Sequence, residues 1–318
     1  MAAKAKSRAK KPAKKAVRSG RASPPGTPAA RGNGAARDLL ARLTDGAVVC
    51  AEGYVFELER RGYLQAGAFV PEVLFEHPEV VEQLHTDFVH AGSDVTQALT
   101  YYVHREKLRV IGREKDLAPM NRAALGIAKR VARRTGTLFA GDLCNTNIYD
   151  PADSKAIKDV ERIFDEQVGW AVEAGVDVVG LNCHRGPRTM LPLLKEIRAA
   201  VKCHVAGLPV PYRTTPAQPS FMALRDPCCG DRMAFPDGLD PFMATRSEIF
   251  DFGREAFAAG IRYLGVCCGA GPHHIRALAE SLGRHPPASR YSKDMAKHAF
   301  FGTDKMIRKI QTDYRDKA

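Results

Sequence analysis

The feature that most constrains the fold is a repeated alternation of short apolar runs with amphipathic helical patterns. The runs are rich in Val and Leu, as expected for strands that are covered on both faces. They are AVVCAEG (47–53), DVTQALTYY (94–102), TLFAGDL (137–143), DVVGLNC (177–183), HVAGLPV (204–210) and YLGVCCG (263–269). Helical patterns begin near Pro78 and Met120 and cover about 154–175, 190–201, 247–260 and 272–282. Strands that alternate with helices in this way form parallel sheets with right-handed crossovers.

The alternation predicts an α/β fold of the (β/α)8 TIM-barrel family, which is the closed form of this pattern. Only six βα units can be counted along the chain, so the barrel is expected to lack about two of them. The stretch 211–246 is irregular and rich in Pro. Connections of this length inside a domain are typically functional or disordered.

Positive charge is concentrated at the N-terminus. Residues 1–37 contain eleven Lys or Arg and no acidic residue, whereas the remainder holds 37 basic residues against 36 acidic ones. The segment has too few bulky apolar residues to offset the entropy of ordering it. We therefore expect a basic disordered tail over 1–37, with weak polyanion contact and an organelle transit peptide as alternatives. The barrel is expected over 38–285 and a charged helical arm for homo-oligomer contact over 286–318.

Eight cysteines occur in the chain, and no secretory signal precedes them. This pattern favours reduced thiols and a cytoplasmic location. No apolar run is long enough to cross a membrane.

Three of the cysteines stand at the ends of predicted strands. Cys183 ends DVVGLNC, and the pair Cys267–Cys268 follows YLGV. Because the carboxyl ends of barrel strands converge at one rim, three thiolates from two strands could hold a tetrahedral zinc with its fourth position open. The alternative is that they are small buried hydrophobic residues, and spacing alone leaves both interpretations open.

Longer segments resemble a known family. The segment FELERRGYLQAGAFVPEVLFEHPEVVEQLHTDFVHAGSDVTQALTYY is similar to the N-terminal third of betaine–homocysteine methyltransferases. GLNCHRGP and the segment from FPDGLDPF to VCCGAGPHHIRALAE resemble their two zinc-cysteine segments. The resemblance covers about 38–283. It implies a homocysteine S-methyltransferase that forms methionine, with zinc on Cys183, Cys267 and Cys268 and the homocysteine sulfur at the fourth position.

The resemblance also implies roles for two polar residues. Family members have an acidic residue near the substrate amine at the end of the first strand. The matching position here is Ala51, so Glu52 is the candidate, with a solvated loop carboxylate as the alternative. Asn182 is expected to position the substrate or support the zinc site. The alternative is that it hydrogen-bonds to backbone groups at the strand end.

The methyl donor is expected to be an onium compound, either betaine-like or a sulfonium, because such cations favour aromatic faces. Tyr54, Phe69, Tyr101 and Tyr102 are the candidate aromatic residues for this site. In the family, aromatic groups matching Phe69 and Tyr102 line the donor site, and Phe69 replaces a tryptophan. The alternative is that these aromatic residues belong to the core.

One departure from the family bears on activity. The family has two further βα units between the segments that match QVGWAVEAG and DVVGLNC, whereas here they are directly joined at 175–177. This leaves an alternative function open. The chain would then be an internally shortened, weakly active or inactive zinc-binding homologue that acts as a scaffold or subunit partner.

Overall fold

Six strands form one parallel sheet in the structure, a computed structural model that describes residues 38–142, 177–226, 228 and 230–317. The basic tail over 1–37 and the helix predicted over 154–175 lie outside these residues. The chain divides into two units, residues 1–35 and residues 36–318, and the second is described here. In chain order its strands are β1 (Val48–Ala51), β2 (Val95–Gln97), β3 (Leu138–Ala140), β4 (Val178–Asn182), β5 (His204–Leu208), β6 (Arg225–Asp226), β7 (Arg232–Met233) and β8 (Tyr263–Val266).

Helices connect and cover these strands. Numbered in chain order among the described residues, they are α1 (Leu39–Asp45), α2 (Tyr54–Arg60), α3 (Val73–Glu76), α4 (Pro78–His90), α5 (Arg105–Val110), α6 (Leu117–Thr135), α7 (Pro187–Ala200), α8 (Arg246–Ala258), α9 (Pro272–Ser281) and α10 (Lys309–Arg315). Several have strong end signals. Thr245 and Glu248 form a capping box at the start of α8, and Gly136 ends α6 in the left-handed conformation.

The order of the large sheet is β3-β2-β1-β8-β5-β4, and every pairing in it is parallel. Apart from the hairpin of β6 and β7, this order keeps chain neighbours side by side and pairs the first strand with the last. The same order is expected for consecutive strands of a (β/α)8 barrel. The predicted fold class is therefore confirmed, and the large sheet has six strands among the described residues. Among the described residues, β3 and β4 are the edge strands, and 143–176 lies between them in the chain.

Side chains of the sheet alternate between two apolar layers, as strand geometry requires. One layer lies between the sheet and the helices and includes Val49, Val179, Val205 and Leu264. The other layer lies on the opposite, inner face of the sheet. There Val48, Cys50, Val95 and Leu208 pack against Leu43 of α1. The inner layer therefore fills the base of the sheet below the carboxyl ends of the strands.

Two stretches differ from their predicted form. The irregular stretch 211–246 contains the antiparallel pair of β6 and β7, together with short 3-10 turns over 221–223 and 240–242. The arm over 286–318, expected to be helical, has 3-10 turns over 287–291 and 295–297 and, among its described residues, one α-helix, α10. Within the described residues, no helix has both the length and the apolarity needed to cross a membrane.

Candidate metal centre

The three predicted cysteines meet at the carboxyl ends of the strands. Cys183 directly follows β4, and Cys267 and Cys268 directly follow β8. One sulfur from each residue lies within 4.8 Å of the other two, and the sulfurs of the adjacent pair are 3.8 Å apart. Cys267 is buried and the other two are partly buried. Thiolate sulfur is a preferred zinc ligand, and three thiols leave a fourth tetrahedral position for a substrate, so this donor set fits a catalytic zinc ion.

The backbone that follows β5 sets the spacing between the two cysteine segments. The carbonyl of Leu208 accepts the amide hydrogen of Cys183 at 2.9 Å, and the carbonyl of Pro209 accepts that of Cys267 at 2.8 Å. Two consecutive carbonyls therefore hold both segments. Because β5 lies between β4 and β8 in the sheet, cysteines 84 positions apart in sequence end side by side.

Local backbone geometry turns the thiols inward. Cys183 and His184 have φ angles of 67° and 58°, in the left-handed region that non-glycine residues rarely adopt. The turn is held because the carbonyl of His184 accepts the amide hydrogen of Phe221 at 2.8 Å. After the cysteine pair, Gly269 has a φ of 92° and starts the turn into α9.

The thiols share charge among themselves. Hydrogen bonds from the Cys267 and Cys268 thiols hold the pKa of Cys183 well below its usual range. The same contacts, together with burial, raise the pKa values of Cys267 and Cys268. The Cys183 thiol is therefore the member of the cluster that gives up its proton most readily.

The predicted carboxylate Glu52 lies beside the cluster. Burial and the negative charge of Asp142 raise the pKa of Glu52 to about 7, while hydrogen bonds with Cys267 and Asn182 oppose the shift. Asn182 is the last residue of β4. The structure therefore brings Glu52, Asn182 and Cys267 together.

A second carboxylate at the same end of the sheet was not singled out from the sequence. Asp142 stands just beyond β3, and its Oδ2 accepts a hydrogen bond from the Gln97 side chain at 2.8 Å. Its main chain is held to the Thr100 hydroxyl at 2.7 and 3.0 Å. The run TLFAGDL places an acidic residue at a strand end, so the rule that pointed to Cys183 could also have found Asp142.

Three of the four predicted aromatic residues lie together. The ring of Tyr102 stacks on Phe69 at 5.9 Å and meets Tyr101 edge-on at 5.0 Å. Burial and the cysteine charges raise the pKa of Tyr101 to about 12, and the same two causes raise that of Tyr102. Tyr101 and Tyr102 therefore face the electrostatic field of the cluster. The ammonium group of Lys107 lies 4.9 Å from the Tyr102 ring centroid, so this ring already serves as a cation acceptor.

Tyr54 lies elsewhere. It is the first residue of α2, is only 3% exposed, and packs against His85 at 4.7 Å and Phe88 at 5.1 Å between ring centroids. This placement makes Tyr54 part of the packing between α2 and α4. It gives no geometric support to the prediction that Tyr54 contacts the methyl donor.

The fold and the cluster together define a class: parallel α/β proteins of the barrel type with a cluster of cysteines at the carboxyl ends of the strands. The sequence family is more specific. The family model for homocysteine S-methyltransferase matches residues 48–179 and 176–282. The chain belongs to the homocysteine S-methyltransferase family, so the predicted resemblance and the predicted enzyme type are confirmed.

Individual relatives agree with this assignment. Betaine–homocysteine S-methyltransferase 1 of Danio rerio is 34% identical, over 85% of this chain and 81% of the relative. S-methylmethionine–homocysteine S-methyltransferase BHMT2 of Pongo abelii is 33% identical, over 85% of this chain and 87% of the relative. The crystal structure of the homocysteine methyltransferase MmuM from Escherichia coli, in its metallated form, matches with a TM-score of 0.55 at 16% identity, covering 76% of this chain and 99% of that one. The last match shows a shared fold.

The alignments also bear on the segment expected to be missing. The family model matches in two pieces that meet at 176–179, where the sequence joins the two segments directly. Eighty-five per cent of this 318-residue chain is about 270 residues, so roughly 70 of the 339 positions aligned with the Danio rerio relative have no counterpart here. Both observations support an internal shortening relative to these relatives.

Proposed function

We propose that the protein transfers a methyl group from an onium donor, either betaine-like or a sulfonium, to homocysteine and so produces methionine. Cys183, Cys267 and Cys268 would hold one zinc ion. The observation that carries this proposal is the convergence of three thiols, from two separated segments, within 4.8 Å of one another at the carboxyl ends of the strands. A zinc ion bound there would lower the pKa of a substrate thiol, so that homocysteine reacts as a thiolate at neutral pH.

The chain's own residues would orient the amino-acid substrate. With its sulfur at the cluster, the ammonium group of homocysteine needs an anionic partner nearby. Glu52 is suited to this role because it is hydrogen-bonded to the same cluster through Cys267. With a pKa raised to about 7, the carboxyl group is only partly ionised at neutral pH, and an ammonium ion beside it would favour its ionised form.

Tyr101, Tyr102 and Phe69 would hold the donor. Their rings lie against one another, and a quaternary ammonium or sulfonium ion is attracted to such faces. Methyl transfer forms a bond from carbon to the homocysteine sulfur and breaks the bond from carbon to the donor nitrogen or sulfur. The bonding electron pair stays with the donor, which leaves as a neutral amine or sulfide, and the thiol proton goes to solvent. Holding the two reactants in line would lower the barrier by replacing a bimolecular encounter with a reaction inside one complex.

The test combines zinc analysis with a donor screen. We expect about one zinc ion per purified chain, because the described residues hold one cluster of three donors. We also expect methionine formation from homocysteine with glycine betaine, a dimethylsulfoniopropionate-like sulfonium or S-methylmethionine. Cys267→Ala should lose both zinc and activity because two thiols remain. Cys228→Ala is the matched control, since this exposed thiol lies outside the cluster and should change neither quantity. Zinc-free protein, or an unchanged Cys267→Ala variant, would contradict the proposal.

A second candidate function is favoured by the internal shortening seen in the alignments. The protein would then be an inactive or weakly active zinc-binding homologue that serves as a scaffold or subunit partner. The same experiment separates the two functions. Bound zinc with no methionine from any donor supports the scaffold, and methionine from any of them excludes it.

A further inference from the structure

Arg60, the last residue of α2, reaches across to the segment that follows the cysteine pair. Its Nη1 donates to the Gly269 carbonyl at 3.0 Å, and its Nη2 donates to the Tyr212 hydroxyl at 3.1 Å. We infer that Arg60 is a positioning residue for the three-cysteine cluster, acting through Gly269 and Tyr212. The inference rests on the proposed function in one respect, namely that the cluster binds zinc.

The first contact fixes the turn directly after the cysteines. Gly269 follows Cys268, and a Cβ atom at this position would lie 2.2 Å from the Tyr212 hydroxyl. The glycine therefore packs tightly between Tyr212 and the Arg60 guanidinium group. Since only one residue separates Gly269 from Cys267, moving its carbonyl would move both sulfurs of the pair.

The second contact connects the turn to the other cysteine segment. Tyr212 is fully buried, and its ring stacks on Phe221 at 5.6 Å with an interplanar angle of 8°. Its carbonyl oxygen lies where a Cβ atom on Gly186 would stand, at 1.8 Å. Tyr212 therefore touches the chain three residues after Cys183 and one residue after Cys268, and Arg60 holds its only side-chain polar group.

The chemistry of the guanidinium group explains why an arginine suits this position. Its planar fork can donate in two directions at once, whereas a lysine offers a single point of charge. Bonds from a charged donor to buried oxygens are also stronger than neutral ones. Arg60 additionally pairs with Asp240 at 3.4 Å, but that carboxylate is 80% exposed, and an exposed pair contributes little.

The test measures zinc affinity by competition with a chromophoric chelator in the full-length protein. We expect Arg60→Met to weaken zinc binding by roughly 10- to 100-fold, as is typical when a group that supports metal ligands is removed. The zinc affinity of Arg60→Lys should lie between that of Arg60→Met and that of wild type. Cobalt substitution adds a spectroscopic readout, because a displaced sulfur changes the thiolate-to-cobalt absorption.

Arg61 supplies a matched control. It is the next residue, its side chain is exposed to the same degree (30% against 29%), and it pairs with Glu57 and Asp87 rather than with Gly269 or Tyr212. Arg61→Met should leave zinc affinity within about twofold of wild type. Equal losses in Arg60→Met and Arg61→Met, or no loss in Arg60→Met, would overturn the inference.

A double variant separates positioning from a purely structural role. Arg60→Met alone leaves the buried Tyr212 hydroxyl without its donor, which could lower stability. Arg60→Met combined with Tyr212→Phe removes both partners of that hydrogen bond. It should recover the part of the melting temperature that was lost at the Tyr212 hydroxyl, while zinc affinity stays low because the Gly269 carbonyl still lacks its donor. If zinc affinity recovered together with melting temperature, Arg60 would act only through stability, and this result would contradict the inference.

A metal-free measurement keeps the inference distinct from the proposed function. In apo protein, dibromobimane joins neighbouring thiols, and peptide mapping gives the yield between Cys183 and the cysteine pair. Arg60→Met should lower that yield, and Arg61→Met should not. If wild-type protein binds no zinc, the proposed function fails, whereas the cross-linking result still decides whether Arg60 positions the thiols.

Discussion

At the residue scale, the cluster depends on side chains held in an unfavourable backbone conformation. Cys183 and His184 are consecutive left-handed residues, a conformation that costs roughly 1–2 kcal/mol per residue. The hydrogen bonds to Leu208 and from Phe221 hold them there. An extended strand would send adjacent side chains to opposite faces, so the left-handed turn is what allows Cys183 to face the pair from β8.

Gly269 gives a prediction at this scale. Gly269→Ala combines a φ of 92° with a Cβ atom that would lie 2.2 Å from the Tyr212 hydroxyl. We expect the free energy of unfolding to fall by more than the approximately 1–2 kcal/mol of conformational strain, and zinc affinity to fall with it. Chemical denaturation and zinc competition measure the two effects.

Gly62 is the matched control for Gly269. Its φ of 81° also lies in the left-handed region, but a methyl group added at this position would have no other atom within 4 Å. Gly62→Ala should therefore show the conformational cost alone and leave zinc binding unchanged. Equal effects at the two glycines would mean that the contact with Tyr212 is unimportant.

The sequence predicted the candidate metal ligands better than the residues that position them. Cys183, Cys267 and Cys268 were recognisable because rare residue types stand at strand ends. Arg60 and Tyr212 were not, because an arginine at a helix end and a tyrosine in a loop are ordinary features. Their partners are up to 209 positions away in sequence, so only the folded chain pairs them.

At the element scale, the packing of α2 on α4 contains an uncommon feature. His85 of α4 is 1% exposed, and neither of its ring nitrogens has a hydrogen-bond partner among the described residues. Burial lowers the pKa of His85 to about 4, partly offset by the charge of Glu82, so the folded protein keeps this ring neutral.

The expected consequence is a loss of stability in acid. The pKa of His85 is about 4 when folded and about 6.5 when unfolded, so between these pH values only the unfolded chain takes up the proton. Stability should therefore fall as pH drops from about 6.5 to about 4, by up to about 3 kcal/mol from this residue. Denaturation across this range should show a shallower fall for His85→Leu than for wild type.

His90 gives the comparison within α4. It lies at the exposed end of the helix, so His90→Leu should keep the wild-type pH dependence. Identical pH profiles for wild type and His85→Leu would show that the histidine is protonated without cost in the folded state.

At the scale of the whole molecule, the arm over 286–318 exposes many apolar side chains. Met306 is 89% exposed, Ile310 75% and Tyr291 63%, with Met295, Phe301 and Tyr314 each above half. Exposed apolar surface of this extent is typical of contact surfaces. It supports the prediction of a homo-oligomer, which stays a prediction, as does the cytoplasmic location.

Charged substitutions in the arm would test the oligomer. Wild-type protein should sediment as an oligomer, and Met306→Asp with Ile310→Asp should shift it towards the monomer, because a charge cannot be buried unpaired at an apolar contact. Val110→Asp is the control, since Val110 is 70% exposed but lies on α5, outside the arm. A monomeric wild type at micromolar concentration would contradict the oligomer prediction.

The sequence by itself determined the order of strands and helices and the three thiols at strand ends, because periodicity and residue type are local properties. It also predicted six strands, since each strand leaves its own apolar run. Tertiary structure alone decided which groups face the thiols. The carbonyls of Leu208 and Pro209 set the spacing of the cysteines, Asp142 joins Glu52 beside them, and Tyr54 turns into the packing of α2 on α4. These contacts connect residues far apart in the chain, and no local pattern encodes a distance across the fold.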